Sequence, residues 1–273
     1  MKQNLVSGLT KTLALAGAFP VPMTDTETLH SFIKTLHPIQ QDKELIRLGP
    51  NGDGGYLVPD DLGGIEACFS PGVSNVSGFE RDCANRGMKI FLADKSVDAP
   101  GEQHELFEFT KKFIGSVSDE DFMTLDEWVN TRLVDSAADL MLQMDIEGYE
   151  YEVLLSTSQK LMTRFRILVI EFHDLDQLWN RPFFNIVSQA FRKILKTHWC
   201  IHIHPNNCCG SVTSKGIEIP RMMEFTFLRR DRMDHEPTSF RTDFPHPLDR
   251  DNTDTPPLEL PDCWYRGTRQ NVN

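Results

Sequence analysis

The sequence predicts an α/β protein built on a doubly wound, mostly parallel sheet. Short, largely apolar segments recur at residues 67–69, 89–93, 140–144 and 167–172. Stretches with helical periodicity separate them, and strands covered by helices on both faces read in this way. These segments also end in polar residues, at the edge where open α/β sheets bind their ligands.

Taken in order, residues 1–40 read as a leader followed by a helix over 27–36. Lys2 and Lys11 precede a short apolar stretch at 13–21, which has the character of a targeting segment but little of the length. Residues 44–58 hold the turn-rich run Gly49-Pro50-Asn51-Gly52-Asp53-Gly54-Gly55, followed by Tyr56-Leu57-Val58. The alternation begins at Ile65. A strand ends at Ser70-Pro71-Gly72, and the helix after it, over 77–86, can be capped by Gly87. The strand at 89–93 ends at Asp94, and residues 106–114 show no clear pattern. A helix over 124–133 has Thr124 as N-cap and Glu127 at the capping-box position. The strand at 140–144 ends at Asp145, and a helix follows over 150–156. The strand at 167–172 leads to an amphipathic helix at 184–195 and to strands at 199–204 and 223–228. Residues 231–273, rich in Pro and Asp, read as an irregular tail packed on the main domain, which spans 41–230.

Composition narrows the functional classes. The 273 residues are 40% hydrophobic and 25% charged, the balance of a packed globular protein. A net charge of −12 argues against nucleic acid as a partner, since phosphate binding needs a basic surface. No apolar run approaches the roughly 18 residues of a membrane span. The six cysteines form no C-x-x-C pair, so free thiols in a reducing cytoplasm are expected.

The strand ends hold the candidate chemistry. Gly72 lets the backbone approach a ligand closely, and Asp94, 22 residues later, can accept hydrogen bonds from ribose hydroxyls. Without a G-x-G-x-x-G turn, a dinucleotide site is disfavoured. Asp145-Ile146-Glu147-Gly148 places two carboxylates at a buried strand end, where they require a metal, a cation or ligand donors. Glu171 and His173 share one face of their strand, as do His202 and His204. Carboxylate with imidazole can hold a divalent metal or take a proton.

Arg47-Leu48-Gly49-Pro50-Asn51-Gly52-Asp53-Gly54-Gly55-Tyr56, Met144-Asp145-Ile146-Glu147-Gly148-Tyr149-Glu150, Ile170-Glu171-Phe172-His173 and His202-Ile203-His204-Pro205-Asn206-Asn207 together resemble blocks of the FkbM-type methyltransferases, as does Met123-Thr124-Leu125-Asp126-Glu127. These belong to the Rossmann-like class I enzymes that use S-adenosyl-L-methionine. The resemblance covers roughly residues 40 to 230. It implies cofactor contacts at Gly72, Asp94 and Asp145, with Ser70 and Asp53 beside them. It also implies O-methylation of a small-molecule or glycan acceptor, on a sugar or natural-product scaffold. In this reading His173 is the base, and Asp145 and Glu171 orient groups or join His173 in holding Mg²⁺ or Mn²⁺. His202 or His204 contacts the acceptor or completes the metal site, and Asn206 stands with them at the acceptor. Two features depart from the pattern: the first turn has a single glycine, and Lys95 follows Asp94 where an apolar residue is usual. The alternatives are a nucleotide-sugar or NAD-dependent enzyme, disfavoured by the missing phosphate loop, and a non-catalytic binding protein, disfavoured by the polar strand ends.

Overall fold

The computed structural model describes Leu13 and residues 19–133 and 137–266. Lys2, Lys11 and residues 14–18 of the leader lie outside the described residues. Helix α1 (Thr26–Thr35) is capped by the Asp25 carboxylate, which accepts from the Thr28 amide. A hairpin of β1 (Leu45–Leu48) and β2 (Tyr56–Pro59) follows, so the turn-rich run is the tip of a two-stranded ribbon.

Next come β3 (Ile65–Pro71), α2 (Gly78–Ala84), β4 (Lys89–Ala93) and β5 (Phe107–Thr110). The short parallel pair β6 (Phe113–Gly115) and β7 (Phe122–Thr124) leads into α3 (Leu125–Arg132). The Thr124 hydroxyl accepts from the Glu127 amide as expected, at 3.2 Å. The reciprocal half of the capping box is replaced, because the Thr124 amide donates to Ser118 Oγ and that hydroxyl donates to Glu127. Then come β8 (Asp139–Met144), α4 (Glu150–Ser156), α5 (Gln159–Met162), β9 (Phe165–Phe172) and α6 (Arg181–Leu195). Strands β10 (His198–Pro205), β11 (Ser211–Ser214), β12 (Ile217–Pro220) and β13 (Met223–Arg229) complete the set, β11 and β12 forming a separate hairpin.

The main sheet has seven strands in the order β10-β13-β9-β8-β3-β4-β5. From β5 to β9 all pairs are parallel. Strand β13, late in the chain, inserts antiparallel between β9 and β10. The winding reverses between β3 and β8, and at such a switch point the strand ends open a crevice. This is the doubly wound, mostly parallel α/β arrangement that the sequence predicts.

The alternation of side chains divides the core. On one face Leu142, Met144, Ile170, Phe172 and Phe225 pack with α1, α4 and α6. Phe32 of α1 meets Phe184 and Phe191 of α6 edge-on, at 5.3 and 5.7 Å. On the other face Met141, Val169 and Leu228 pack against Leu57 and Val58 of β2 and Phe79 of α2. The Thr226 hydroxyl donates to the Leu57 carbonyl at 2.6 Å and pins the β1–β2 hairpin over the middle of β13.

Candidate active site

Three strand ends are knitted together around Gly72. Its amide donates to the Ala93 carbonyl at 3.1 Å, and the Asp145 amide donates to the Pro71 carbonyl at 3.3 Å. Gly72 has φ +90°, and a Cβ there would lie 1.5 Å from the Asp145 carbonyl oxygen. The glycine is therefore required by the neighbouring strand end, which the sequence could not reveal; close approach to a ligand was the expectation. Beside it opens a cavity of about 380 Å³, lined by Gly72, Val73, Asp94, Ile114, Phe122 and Asp145 among others.

Asp94 borders this cavity with much of its capacity already used. Its Oδ2 accepts from the Val73 amide at 3.0 Å, and its Oδ1 accepts from the Ser96 amide and hydroxyl, both at 2.6 Å. A carboxylate offers about four acceptor positions, so about one is left for a ribose hydroxyl. Lys95, the unusual neighbour, turns away to pair with Asp121. Ser70 does not line the cavity. It is fully buried, and its hydroxyl lies 2.6 Å from both Glu80 Oε1 and Gln143 Oε1. A hydroxyl has one proton to give, so the second contact suits a protonated Glu80, whose pKa burial raises.

The second group of residues lies just beyond Asp145. Strand pairing sets Glu171 of β9 opposite Glu224 of β13, and Glu224 opposite His204 of β10. Met144 pairs with Ile170, so Asp145 stands beside Glu171. A single polar row, Asp145–Glu171–Glu224–His204, thus crosses four strand ends. Exposed Asp53, at the tip of the β1–β2 hairpin, lies close enough for its charge to act on Asp145, Glu171 and Glu224.

His173 follows β9. Its Nδ1 is 3.0 Å from Glu150 Oε1, while its Nε2 lies 3.4 Å from Glu147 Oε2 and 3.7 Å from Asp145 Oδ1. Fully buried Glu150 organises the turn, because Oε1 also accepts from the Ile146 and Gly148 amides at 3.2 and 3.1 Å. Glu147 instead points outward, with its backbone in the left-handed region at φ +56°.

The electrostatics follow from this crowding. Burial pushes the Asp145 pKa up to about 7 against the opposing charge of His173, with help from Glu147, Glu150 and Asp53. Burial, then Asp145 and Glu224, hold Glu171 well above the usual carboxylate range. Burial raises Glu224 to about 8, opposed by Asn252 and Arg47. For His173 burial opposes the charged form, but the Glu150 hydrogen bond and the surrounding carboxylates outweigh it and raise the pKa.

Asp145, Glu171 and His173 each offer one ligand atom, and these atoms lie within 4.8 Å of one another. Asp145 Oδ1, Glu171 Oε2 and His173 Nε2 are all buried without a hydrogen-bond partner. Two carboxylate oxygens and one imidazole are a donor set that divalent first-row metals accept, Mn²⁺ more readily than the oxygen-preferring Mg²⁺.

The three residues expected at the acceptor separate. Asn206 joins the centre, donating to Glu171 Oε1 at 3.0 Å. His202 and His204 face the tail instead: His202 Nε2 is 2.8 Å from Asp249 Oδ1, and His204 Nδ1 is 3.8 Å from Asp249 Oδ2. The sequence reading missed Glu150 and Glu224. Glu224 had a visible signal, an acid inside the apolar run Met223-Glu224-Phe225-Thr226-Phe227-Leu228.

Residues 70–197 match the methyltransferase FkbM domain. A comparison with curated proteins gives no match. Among solved structures, a chain of a fibrillarin/Nop5p complex is similar at 11% identity and a TM-score of 0.36, over 61% of this chain and 73% of that one. An rRNA methylase from Streptococcus thermophilus is similar at 8% identity and 0.33, over 74% and 94%. Spermidine synthase from Thermotoga maritima gives 10% and 0.33, over 74% and 79%. The stretch of the chain similar to the FkbM methyltransferase domain thus runs from the carboxyl end of β3 to the end of α6 and contains Gly72, Asp94, Asp145, Glu171 and His173.

Proposed function

We propose that this chain is an S-adenosylmethionine-dependent methyltransferase of the FkbM type, which methylates a hydroxyl oxygen on a sugar, glycan or natural-product scaffold with His173 as the base. The observation that carries the reading is His173 Nε2, buried and without a hydrogen-bond partner, 3.7 Å from a residue that lines the cavity at Gly72.

When bound, S-adenosylmethionine supplies an electrophilic methyl carbon and a neutral thioether leaving group. Gly72, Asp94 and Asp145 line the cavity assigned to it. The residues around His173 supply the rest. A hydroxyl is a weak nucleophile until its proton is removed, and a positioned base accelerates such a step by about 10²–10⁴. His173 Nε2 takes that proton. Glu150 fixes the ring through Nδ1 and stabilises the imidazolium that forms. Holding the acceptor oxygen in line with the methyl carbon contributes further.

The three unpartnered atoms of Asp145, Glu171 and His173 favour a second arrangement. A divalent cation held by them would supply Lewis acidity at the acceptor hydroxyl. Its ligand set includes His173 Nε2, so the two roles of that nitrogen are mutually exclusive.

Calorimetry with S-adenosylhomocysteine and transfer of labelled methyl into lysate test the reading. His173→Ala is expected to lower turnover at least 100-fold while product affinity stays within twofold. Unchanged turnover removes the base, and absence of any S-adenosylhomocysteine binding removes the reading as a whole. Full loss of activity in chelator, restored by Mn²⁺, assigns His173 to the metal instead.

A further inference from the structure

A second cavity, of about 630 Å³, lies between the end of β10 and the tail. His204 closes it on the sheet side. Phe244, Asp249 and Arg250 line it from one arm of the tail, Tyr265 and Arg266 from the other. The tail is fastened here by specific bonds. Asp249 accepts from His202, Asn252 Nδ2 donates to Glu224 Oε1 at 2.7 Å, and Asn207 Nδ2 donates to the Thr253 and Thr255 carbonyls, each at 3.0 Å.

The lining has one kind of chemistry. The Phe244 and Tyr265 rings stand 5.1 Å apart at 57°, giving two adjoining apolar faces. Residues with planar polar side chains share the lining: Asp249, His204, Arg250 and Arg266. Burial keeps the His204 pKa low, so its ring is neutral near pH 7 and can both donate and accept. Apolar faces framed by bidentate donors and acceptors suit a ring with C–H faces and several hydroxyls.

Position links this cavity to the reaction centre. His204 ends the polar row that begins at Asp145. At about 4.8 Å per strand, it stands roughly 10 Å from Glu171 and roughly 14 Å from Asp145. One sugar ring cannot occupy both places.

We propose that the cavity under the tail is a distal acceptor subsite, taking a polyhydroxylated ring of an oligosaccharide or glycoside whose methylated hydroxyl lies at His173. This rests on the methyltransferase reading above and narrows its acceptor to a carbohydrate of more than one ring.

The test measures retention of the full chain on an array of immobilised oligosaccharides, with S-adenosylhomocysteine calorimetry on the same samples. The parent chain is expected to bind a subset of di- and larger saccharides. Phe244→Ala, Arg250→Ala and Arg266→Ala should each weaken that binding at least tenfold. Their S-adenosylhomocysteine affinity should stay within twofold of the parent, which reports that they fold. Both arginines are exposed, so their variants keep the test open if Phe244→Ala does not fold. If S-adenosylhomocysteine binds but no saccharide does, or if all three variants bind saccharide like the parent, the subsite is wrong and the donor reading stands. If saccharide binding is lost in the variants but the parent does not bind S-adenosylhomocysteine, the donor reading fails and the subsite stands.

Discussion

Replacing Glu150 separates its structural and electrostatic roles. Its Oε1 accepts from Ile146 N, Gly148 N and His173 Nδ1 at 3.2, 3.1 and 3.0 Å, with the side chain fully buried. Glu150→Ala removes the acceptor from all three donors, and each unsatisfied buried donor costs about 1–3 kcal/mol. Relief of a buried charge offsets part of that sum, leaving a net loss of about 3 kcal/mol. In a chain of this size that lowers Tm by about 6–12 °C. Glu150→Gln keeps the oxygen and removes only the charge assistance, a loss of about 1–2 kcal/mol. Both variants remove the carboxylate that raises the His173 pKa, so that pKa should fall. A raised histidine pKa adds stability that is complete below the unfolded value of 6.5 and fades as pH rises through the folded value. That slope should therefore flatten in Glu150→Gln. Urea unfolding at several pH values and NMR titration of His173 measure these effects. Equal losses for Ala and Gln, or an unchanged His173 pKa in Gln, would refute the reasoning.

Two further predictions concern residues with clear surroundings. His198 is fully buried, its Nε2 2.8 Å from the Phe165 carbonyl, and burial lowers its pKa to about 4. Its contribution is present above about pH 6.5 and is lost as pH falls to about 4, a change of about 3 kcal/mol; His198→Asn should remove that part of the acid sensitivity, and an identical pH–stability profile would count against it. Gly72→Ala must shift the Asp145 carbonyl and adopt a left-handed φ, for a combined loss of about 2–5 kcal/mol and of S-adenosylhomocysteine binding; parent-like unfolding and calorimetry would contradict the close approach.

Strands β3, β4, β8 and β9 were legible because both their faces are largely buried, so each reads as an apolar run bounded by turns, whereas the shorter and more exposed β5, β6 and β7 show no such run. Asp145, Glu171 and His173 were legible as candidates because polar residues interrupt those runs at their carboxyl ends. Long-range pairing was not legible. Glu171 meets Glu224 only because β13 inserts beside β9 with one particular register, and no local pattern encodes that. The same holds for His202 and His204. Their alternation places them on one face, but only the path of the tail decides that this face meets Asp249. Glu150 was hidden by its position in a helix, where an acid in the first turn is ordinary. Its full burial and three donors come from the turn folding back on it.

The place of β13 also sets a timetable for synthesis. β10 emerges from the ribosome before the strand that joins it to the sheet, and β9 leaves with one edge unpaired. Until residues 223–229 arrive, that edge presents free backbone groups that another nascent chain can pair with. A premature stop shortly before Met223 should therefore produce an aggregating polypeptide rather than a soluble inactive one.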